Sequence, residues 1–243
     1  MRFKAMKLKD LLNGAAKELF PENYTCDLCG NEIFDGGNLC ADCRSKVIFN
    51  DGNVCPLCGR RTSVNQLCLE CKAQAPLYKK AVSAIVYEGG GIALIHKFKR
   101  GGAYLKEFFA DLIARKCDCF SDADAICYIP MTRRAERRRG YNQAELLAEA
   151  LSKRLDLPVC DGALTKLKDT QEQKTLNLKQ REANLKGCFR ADRKAVEGKT
   201  IILVDDVMTT GATADAATAQ LLKRGAKGVY FACAASVEFK RRL

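Results

Sequence analysis

Three stretches of this chain carry residue types and spacings that could do chemistry. The first holds eight cysteines in four CxxC pairs: Cys26/Cys29, Cys40/Cys43, Cys55/Cys58 and Cys68/Cys71. Zn²⁺ takes four tetrahedral ligands, and a CxxC turn supplies two thiolates with the right bite. CDLCG with LCADC makes one such unit, and CPLCGR with LCLEC a second. A redox CxxC normally occurs once on an α/β scaffold, so four pairs in close succession point to two structural zinc ions with no open catalytic position. Pairing of consecutive knuckles is favoured, and a crossed arrangement stays open. Gly30 and Gly59, just after their knuckles, supply the backbone freedom such turns need. The second stretch is IILVDDVMTTGAT, residues 201–213. Its apolar run reads as a buried strand ending in Asp205 and Asp206, followed by a Thr- and Gly-rich turn and the start of a helix. Such a turn can aim backbone N–H groups and Thr hydroxyls at a phosphate, helped by the helix dipole, and Gly211 lets the backbone come close. Paired carboxylates suit vicinal hydroxyls or a hydrated Mg²⁺. Phosphate and diol recognition side by side describe a ribose 5-phosphate. The third stretch, YIPMTRRAERRRGYNQ, packs Arg133, Arg134, Arg137, Arg138 and Arg139 directly behind a strand. Those arginines could grip nucleic acid, line a phosphate pocket or face solvent.

The rest of the sequence supplies what must hold these groups. The chain has 243 residues, 47% of them hydrophobic, enough for a real core. Its net charge of +12 favours polyanionic partners, and the basic residues cluster at 133–139 and at Lys240-Arg241-Arg242. No apolar run approaches the ~20 residues of a membrane helix, and the start lacks a signal-peptide core. Leu8, Leu11, Leu12, Ala15, Ala16 and Leu19 follow helical spacing, so residues 1–22 are expected to form an amphipathic helix. Cysteines spaced for metal, without a secretory signal, imply a reducing cytoplasm, and the lack of a long apolar run implies no membrane insertion. Residues 23–74 then form the double zinc ribbon, too poor in large apolar residues to fold on a core alone. The six other cysteines, Cys117, Cys119, Cys127, Cys160, Cys188 and Cys233, read as small core or near-surface residues.

From residue 75 the pattern alternates. Strands are expected at Ala81–Tyr87, Ala125–Pro130, Lys199–Val204 and Gly228–Ala235. Helices are expected around IALIHKFK, over Leu105–Lys116, from Ala144 to Leu155, and over Ala214–Arg224 before Gly225. Alternation of this kind implies a mostly parallel sheet covered by helices, with ligands at the carboxyl ends of its strands.

IILVDDVMTTGAT fills every position of the phosphoribosyl pyrophosphate signature of type I phosphoribosyltransferases, which it resembles. The order of motifs narrows the likeness: four CxxC pairs, LIHKFKRGG, YIPMTRRAERRRGYNQAELLA, KDTQEQKTLNLKQREANLKGCF, then the signature. That order resembles the ComF family of competence-associated proteins, including its GntX-like members, over nearly the whole chain. The resemblance implies a type I phosphoribosyltransferase-like sheet in residues 75–243, behind the double ribbon. It implies Asp205 and Asp206 on the ribose hydroxyls, with Mg²⁺ accompanying the ligand. Thr209, Thr210, Gly211, Ala212 and Thr213 would wrap the 5-phosphate. It also implies a cytosolic role with imported single-stranded DNA, in natural transformation or nutrient use, and a companion helicase.

Departures from that pattern matter as much. Purine-salvage members place an acid three residues past the second carboxylate; here Thr209 stands there, and no general base is evident. The usual small, glycine-rich pyrophosphate loop is replaced by IPMTRRAERRRG. In a transfer through an oxocarbenium-like state at C1, cations must absorb the leaving pyrophosphate's charge. Arg137, Arg138, Arg139, Lys97 and Lys99 are the candidates. Leu167–Gly187 is polar, too long for a simple connection, and resembles the mobile hood of this fold; Thr170, Gln173, Arg181 and Asn184 match the family pattern there. Arg133 and Arg134 are expected to face outward. His96 is expected to pack, and Tyr141 is a candidate for stacking on a base. Two functions follow. One is Mg²⁺-dependent transfer of phosphoribose to an acceptor. The alternative is a non-catalytic single-strand DNA-binding adaptor that senses the sugar phosphate.

Overall fold

The computed structural model describes residues 25–34, 37–168 and 187–238. The expected helix over 1–22, the hood positions Thr170, Gln173, Arg181 and Asn184, and the basic tail 240–242 lie outside the described residues. The chain divides into two compact units, one up to Lys46 and one from Val47 onward.

Each ribbon repeats one local plan. In the first, Thr25 bridges Glu32 antiparallel, and a turn closed by Gly30 N–H on Cys26 C=O (2.8 Å) sets the knuckle. A short helix α1 (Ala41–Ser45) follows, capped by Cys40, whose Sγ accepts from the Cys43 N–H. In the second, Val54 bridges Arg61, Gly59 N–H closes on Cys55 C=O (2.9 Å), and Cys68 caps α2 (Leu69–Ala73) in the same way. Gly30 and Gly59 both hold positive φ, 79° and 64°, where a side chain would be strained.

The larger unit is built on β1 (Ala81–Val86), β2 (Ala125–Tyr128), β5 (Thr200–Met208) and β6 (Gly228–Ser236). They lie in the order β1-β6-β5-β2, and every pair is parallel. Such strands are buried on both faces, which is why IILV and YFACAA run apolar without alternating. Helices α3 (Gly90–Lys99), α4 (Leu105–Ala114), α5 (Arg133–Arg139), α6 (Gln143–Leu155) and α8 (Ala212–Lys223) connect them, and the one-turn α7 (Arg193–Val196) precedes β5. Phe98 and Phe109 meet at 5.4 Å between ring centres and, with Leu94, Ile95, Ile113, Leu147 and Leu151, form a fully buried layer. Each such side chain contributes roughly 1.5–3 kcal/mol by leaving water. Arg154 of α6 clips that layer to α4 through Glu107 and Asp111.

The structure corrects one strand boundary and adds two elements. β5 does not stop at Val204: β6 runs beside it to Ser236, pairing Asp205 with Cys233 and Met208 with Ser236, so both carboxylates stand inside a strand. The arginine run, to which the sequence assigned no element, is the helix α5, capped by the Thr132 hydroxyl on Ala135 N–H (3.2 Å) and ended by Gly140 at φ 94°. A small antiparallel pair, β3 (Leu164–Lys166) with β4 (Phe189–Ala191), brackets the hood segment. Its three-residue strands are too short to register as a pattern.

Candidate functional site

β5 brings its two carboxylates to the carboxyl end of the sheet, half-buried. Asp205 accepts from the Asp206 backbone N–H at 2.8 Å. Lys99, the last residue of α3, reaches across to Asp206 with Nζ 2.9 Å from Oδ2. This pair joins two positions the sequence proposed separately. Burial, and next the charge of Asp206, push the Asp205 carboxyl well above the ordinary carboxylate range; Lys99 and Lys166 oppose that shift. A carboxyl so placed gains from an arriving cation or hydroxyl donor. Lys166, in β3, was missed in the sequence because nothing local links it to the signature.

Beyond Met208 the chain turns through Thr209–Gly211 into α8. Gly211 stands at φ 86° as the cap residue, a conformation open to glycine at little cost. The Ala212 N–H leans on Thr210 Oγ1 at 3.4 Å. The helix-start N–H groups and the threonine hydroxyls are donors of the kind a phosphate takes, and they follow directly on a carboxylate pair that Lys99 counters. That donor set fits a sugar phosphate with its Mg²⁺: hard oxygen ligands on one side, N–H donors on the other.

Arg133 and Arg134 face outward as expected, and the pocket candidates Arg137, Arg138 and Arg139 do so too. Arg133, Arg134, Arg137, Arg138 and Arg139 are all exposed on α5, which buries none of its residues. Arg139 donates to Gln143 Oε1 at 3.1 Å. Gln143 is buried, and its Nε2 has no hydrogen-bond partner among the described residues. A seven-residue helix with arginine at five positions has no apolar face to bury, so it projects a positive rim instead of lining a closed pocket. Tyr141 is not a free stacking platform. Its hydroxyl donates to Phe98 C=O (2.6 Å) and accepts from Gly101 N–H (3.0 Å), pinning the loop after α3. His96 is exposed rather than packed, with Nε2 3.4 Å from the Tyr87 hydroxyl.

The cysteines gather as two sets of four, Cys26/Cys29/Cys40/Cys43 and Cys55/Cys58/Cys68/Cys71, with ligand atoms within 4.8 Å of one another in each. Consecutive knuckles pair. Sulfurs bound to one zinc at ~2.3 Å stand about 3.8 Å apart in a tetrahedron; Cys29–Cys40 and Cys58–Cys68 are at 3.8 and 3.7 Å. The thiols fit two structural zinc ions. Of the other cysteines, Cys117, Cys127, Cys188 and Cys233 are buried and Cys119 is exposed.

One contact was invisible in the sequence. Arg60, buried at 5% exposure, donates from Nε to Cys58 Sγ (3.4 Å) and from Nη1 to the Thr209 carbonyl (3.3 Å). A separation of 149 residues hides that pairing from any local pattern.

Comparison with known proteins adds the family. Residues 142–242 match the phosphoribosyl transferase domain, and residues 15–72 match the double zinc ribbon domain. The chain is 30% identical to competence protein F of Haemophilus influenzae, over 85% of this chain and 94% of that protein. It is 31% identical to the DNA utilization protein YhgH of Escherichia coli, over 86% and 95%. With competence protein ComFC of Bacillus subtilis it shares 33% identity over 77% and 79%. No helix among the described residues is long and apolar enough to cross a membrane. A parallel sheet with the signature at a strand's end, behind two four-cysteine ribbons, thus comes with near full-length relatives, and the chain belongs to the ComF competence family with a phosphoribosyltransferase domain.

Proposed function

We propose that the chain binds Mg²⁺–phosphoribosyl pyrophosphate at the carboxyl end of β5 and works in the cytoplasm on the use of imported single-stranded DNA. The observation that carries this reading is the Asp205–Asp206 pair, countered by Lys99 at 2.9 Å and followed by the Gly211 turn into α8. Asp205 and Asp206 take the ribose hydroxyls. Residues Thr209 to Thr213 take the 5-phosphate, and Lys99 balances charge between them. Bound Mg²⁺ would neutralise the pyrophosphate. Isothermal titration with Mg²⁺ and phosphoribosyl pyrophosphate tests this: saturable binding in wild type, lost in Asp205→Asn/Asp206→Asn, supports it. Equal heats in both would sink it.

The fate of the bound ligand separates two roles. Transfer to an acceptor releases pyrophosphate. A non-catalytic adaptor holds the ligand intact and carries DNA on α5, whose five exposed arginines favour this second role. Thr209 also supplies no base, and its carbonyl is engaged by Arg60. Pyrophosphate release, assayed with single-stranded DNA and a panel of nucleophilic acceptors, decides between the roles. The names of the relatives speak of competence and DNA utilization; a companion DNA-uptake helicase rests on the family resemblance, and a pull-down with the purified helicase would test it.

A further inference from the structure

The second ribbon reaches the phosphate turn through one buried cation. Arg60 follows the Cys55–Gly59 knuckle directly, and three groups occupy its guanidinium. These are Cys58 Sγ, the Thr209 carbonyl, and the carboxylate of Glu70 from α2. Thr209 opens the turn into α8, so its carbonyl fixes the direction in which the following N–H groups leave the strand. The same ribbon flank grips the turn at two further points. Leu77 N–H donates to Asp215 Oδ1 at 2.8 Å in the first turn of α8. Tyr78, itself buried, sets its hydroxyl 3.7 Å from Met208 Sδ and 3.6 Å from where a Cβ on Gly211 would stand. Gly59 lies so close to β1 that an added Cβ would come within 2.3 Å of the Ala81 carbonyl, leaving the knuckle no slack against the sheet.

We propose that Arg60 is a positioning residue for the phosphoribosyl turn, through which the second four-cysteine cluster and the sugar-phosphate site act as one unit. A zinc-bound Cys58 is a thiolate, the strongest acceptor a sulfur offers. It holds one edge of a planar guanidinium, whose fixed fork presents the other edge to Thr209. Partners just outside a metal's ligand shell orient the ligands, and here the orienting runs outward as well. Coupling of this kind is reciprocal: what zinc gives to ligand affinity, the ligand returns to zinc retention. The ligand in this proposal rests on the phosphoribosyl pyrophosphate reading above. The anchor itself rests on geometry alone.

Arg60→Met, which keeps much of the stem, and Arg60→Lys, which keeps the charge without the fork, are compared with wild type in three measurements. These are zinc content, hydrogen exchange of the peptide spanning 207–213, and affinity for Mg²⁺–phosphoribosyl pyrophosphate. Arg60→Met is expected to keep two zinc ions, expose the turn to faster exchange, and lose roughly fivefold or more in affinity, within the range typical of coupled sites. Arg60→Lys should recover part of both. The ligand should also slow the stripping of zinc by a chelator in wild type. If Arg60→Met itself sheds zinc, Glu70→Gln, at a half-exposed position, substitutes for it and is read in the same way. Unchanged exchange with unchanged affinity overturns the proposal, and so does a loosened turn that binds as tightly as wild type. Should wild type bind no phosphoribosyl pyrophosphate, the ligand reading fails instead. Exchange of 207–213 in zinc-replete Arg60→Met then still decides the anchor: faster exchange sustains it, and wild-type protection overturns it.

Discussion

Asp205 carries its proton to higher pH than an ordinary carboxyl does, because burial and the neighbouring Asp206 both penalise its charge. A raised folded-state pKa means that the folded state holds the proton more tightly than the unfolded chain. Its stabilising contribution is therefore whole below the ordinary carboxylate pKa of about 4 and is lost as pH climbs through the raised one. Asp205→Asn removes that loss, so its Tm should exceed that of wild type increasingly toward alkaline pH. A parallel fall in both proteins, followed by circular dichroism, would contradict this. Ligand binding has the opposite preference, since a cation or a diol needs the carboxylate. Titrations in buffers of different ionisation heat should therefore show protons released on binding, and affinity should rise with pH. Arg60 belongs to this scale too. Truncating one member of a buried, hydrogen-bonded ion pair costs about 3–5 kcal/mol, and exposed Glu70 places Arg60→Met at the lower end.

At the scale of elements, β1, β2, β6 and the helices α3, α4, α6 and α8 were legible because their signals are local. Apolar runs of strand length, periodic apolar faces and the Gly225 stop need no knowledge of the fold. α5 was not read as a helix because five arginines leave it without an apolar period. Its marks were Thr132 ahead, basic residues in the last turn, and Gly140 behind. The last residues of β5 were misjudged for a different reason: two aspartates look like a strand's end until β6 is seen running beside them. Arg60–Thr209, Lys99–Asp206 and the nearness of Lys166 are long-range meetings that spacing cannot express. Two predictions belong here. Arg137→Ala/Arg138→Ala should weaken binding of a labelled single-stranded oligonucleotide and flatten its logarithmic salt dependence by about 1.4, at about 0.7 per phosphate contact. An unchanged slope in fluorescence anisotropy would remove α5 from the DNA surface. Tyr141→Phe deletes the hydroxyl that joins Phe98 to Gly101 at the end of α3. A stability loss of about 1–2 kcal/mol is expected, read as a lower urea midpoint with an unchanged slope.

At the scale of the whole molecule, the two ribbons are repeats that belong to different compact units. The second is continuous with the sheet: Ala81 N–H donates to Leu57 C=O (2.8 Å), and Asn50 Nδ2 joins Gly59 C=O to the Ser83 hydroxyl, both at 2.7 Å. Cys58→Ser/Cys71→Ser should therefore lower the melting temperature of the larger unit, whereas Cys29→Ser/Cys43→Ser should leave that transition in place. Calorimetry on each variant checks both halves, and equal effects would mean that the units are not thermally distinct. The strand order has a consequence for synthesis. β1 and β2 are made before β5 and β6, yet they occupy the two ends of β1-β6-β5-β2; β1 meets Ile48 and Asn50 along one edge, and its strand partner in the sheet is β6. The growing chain must therefore carry the mostly apolar AVSAIV segment without its sheet neighbour until β6 has been made. That exposure invites chaperone capture and makes translational pauses or truncations ahead of β6 costly to the whole sheet.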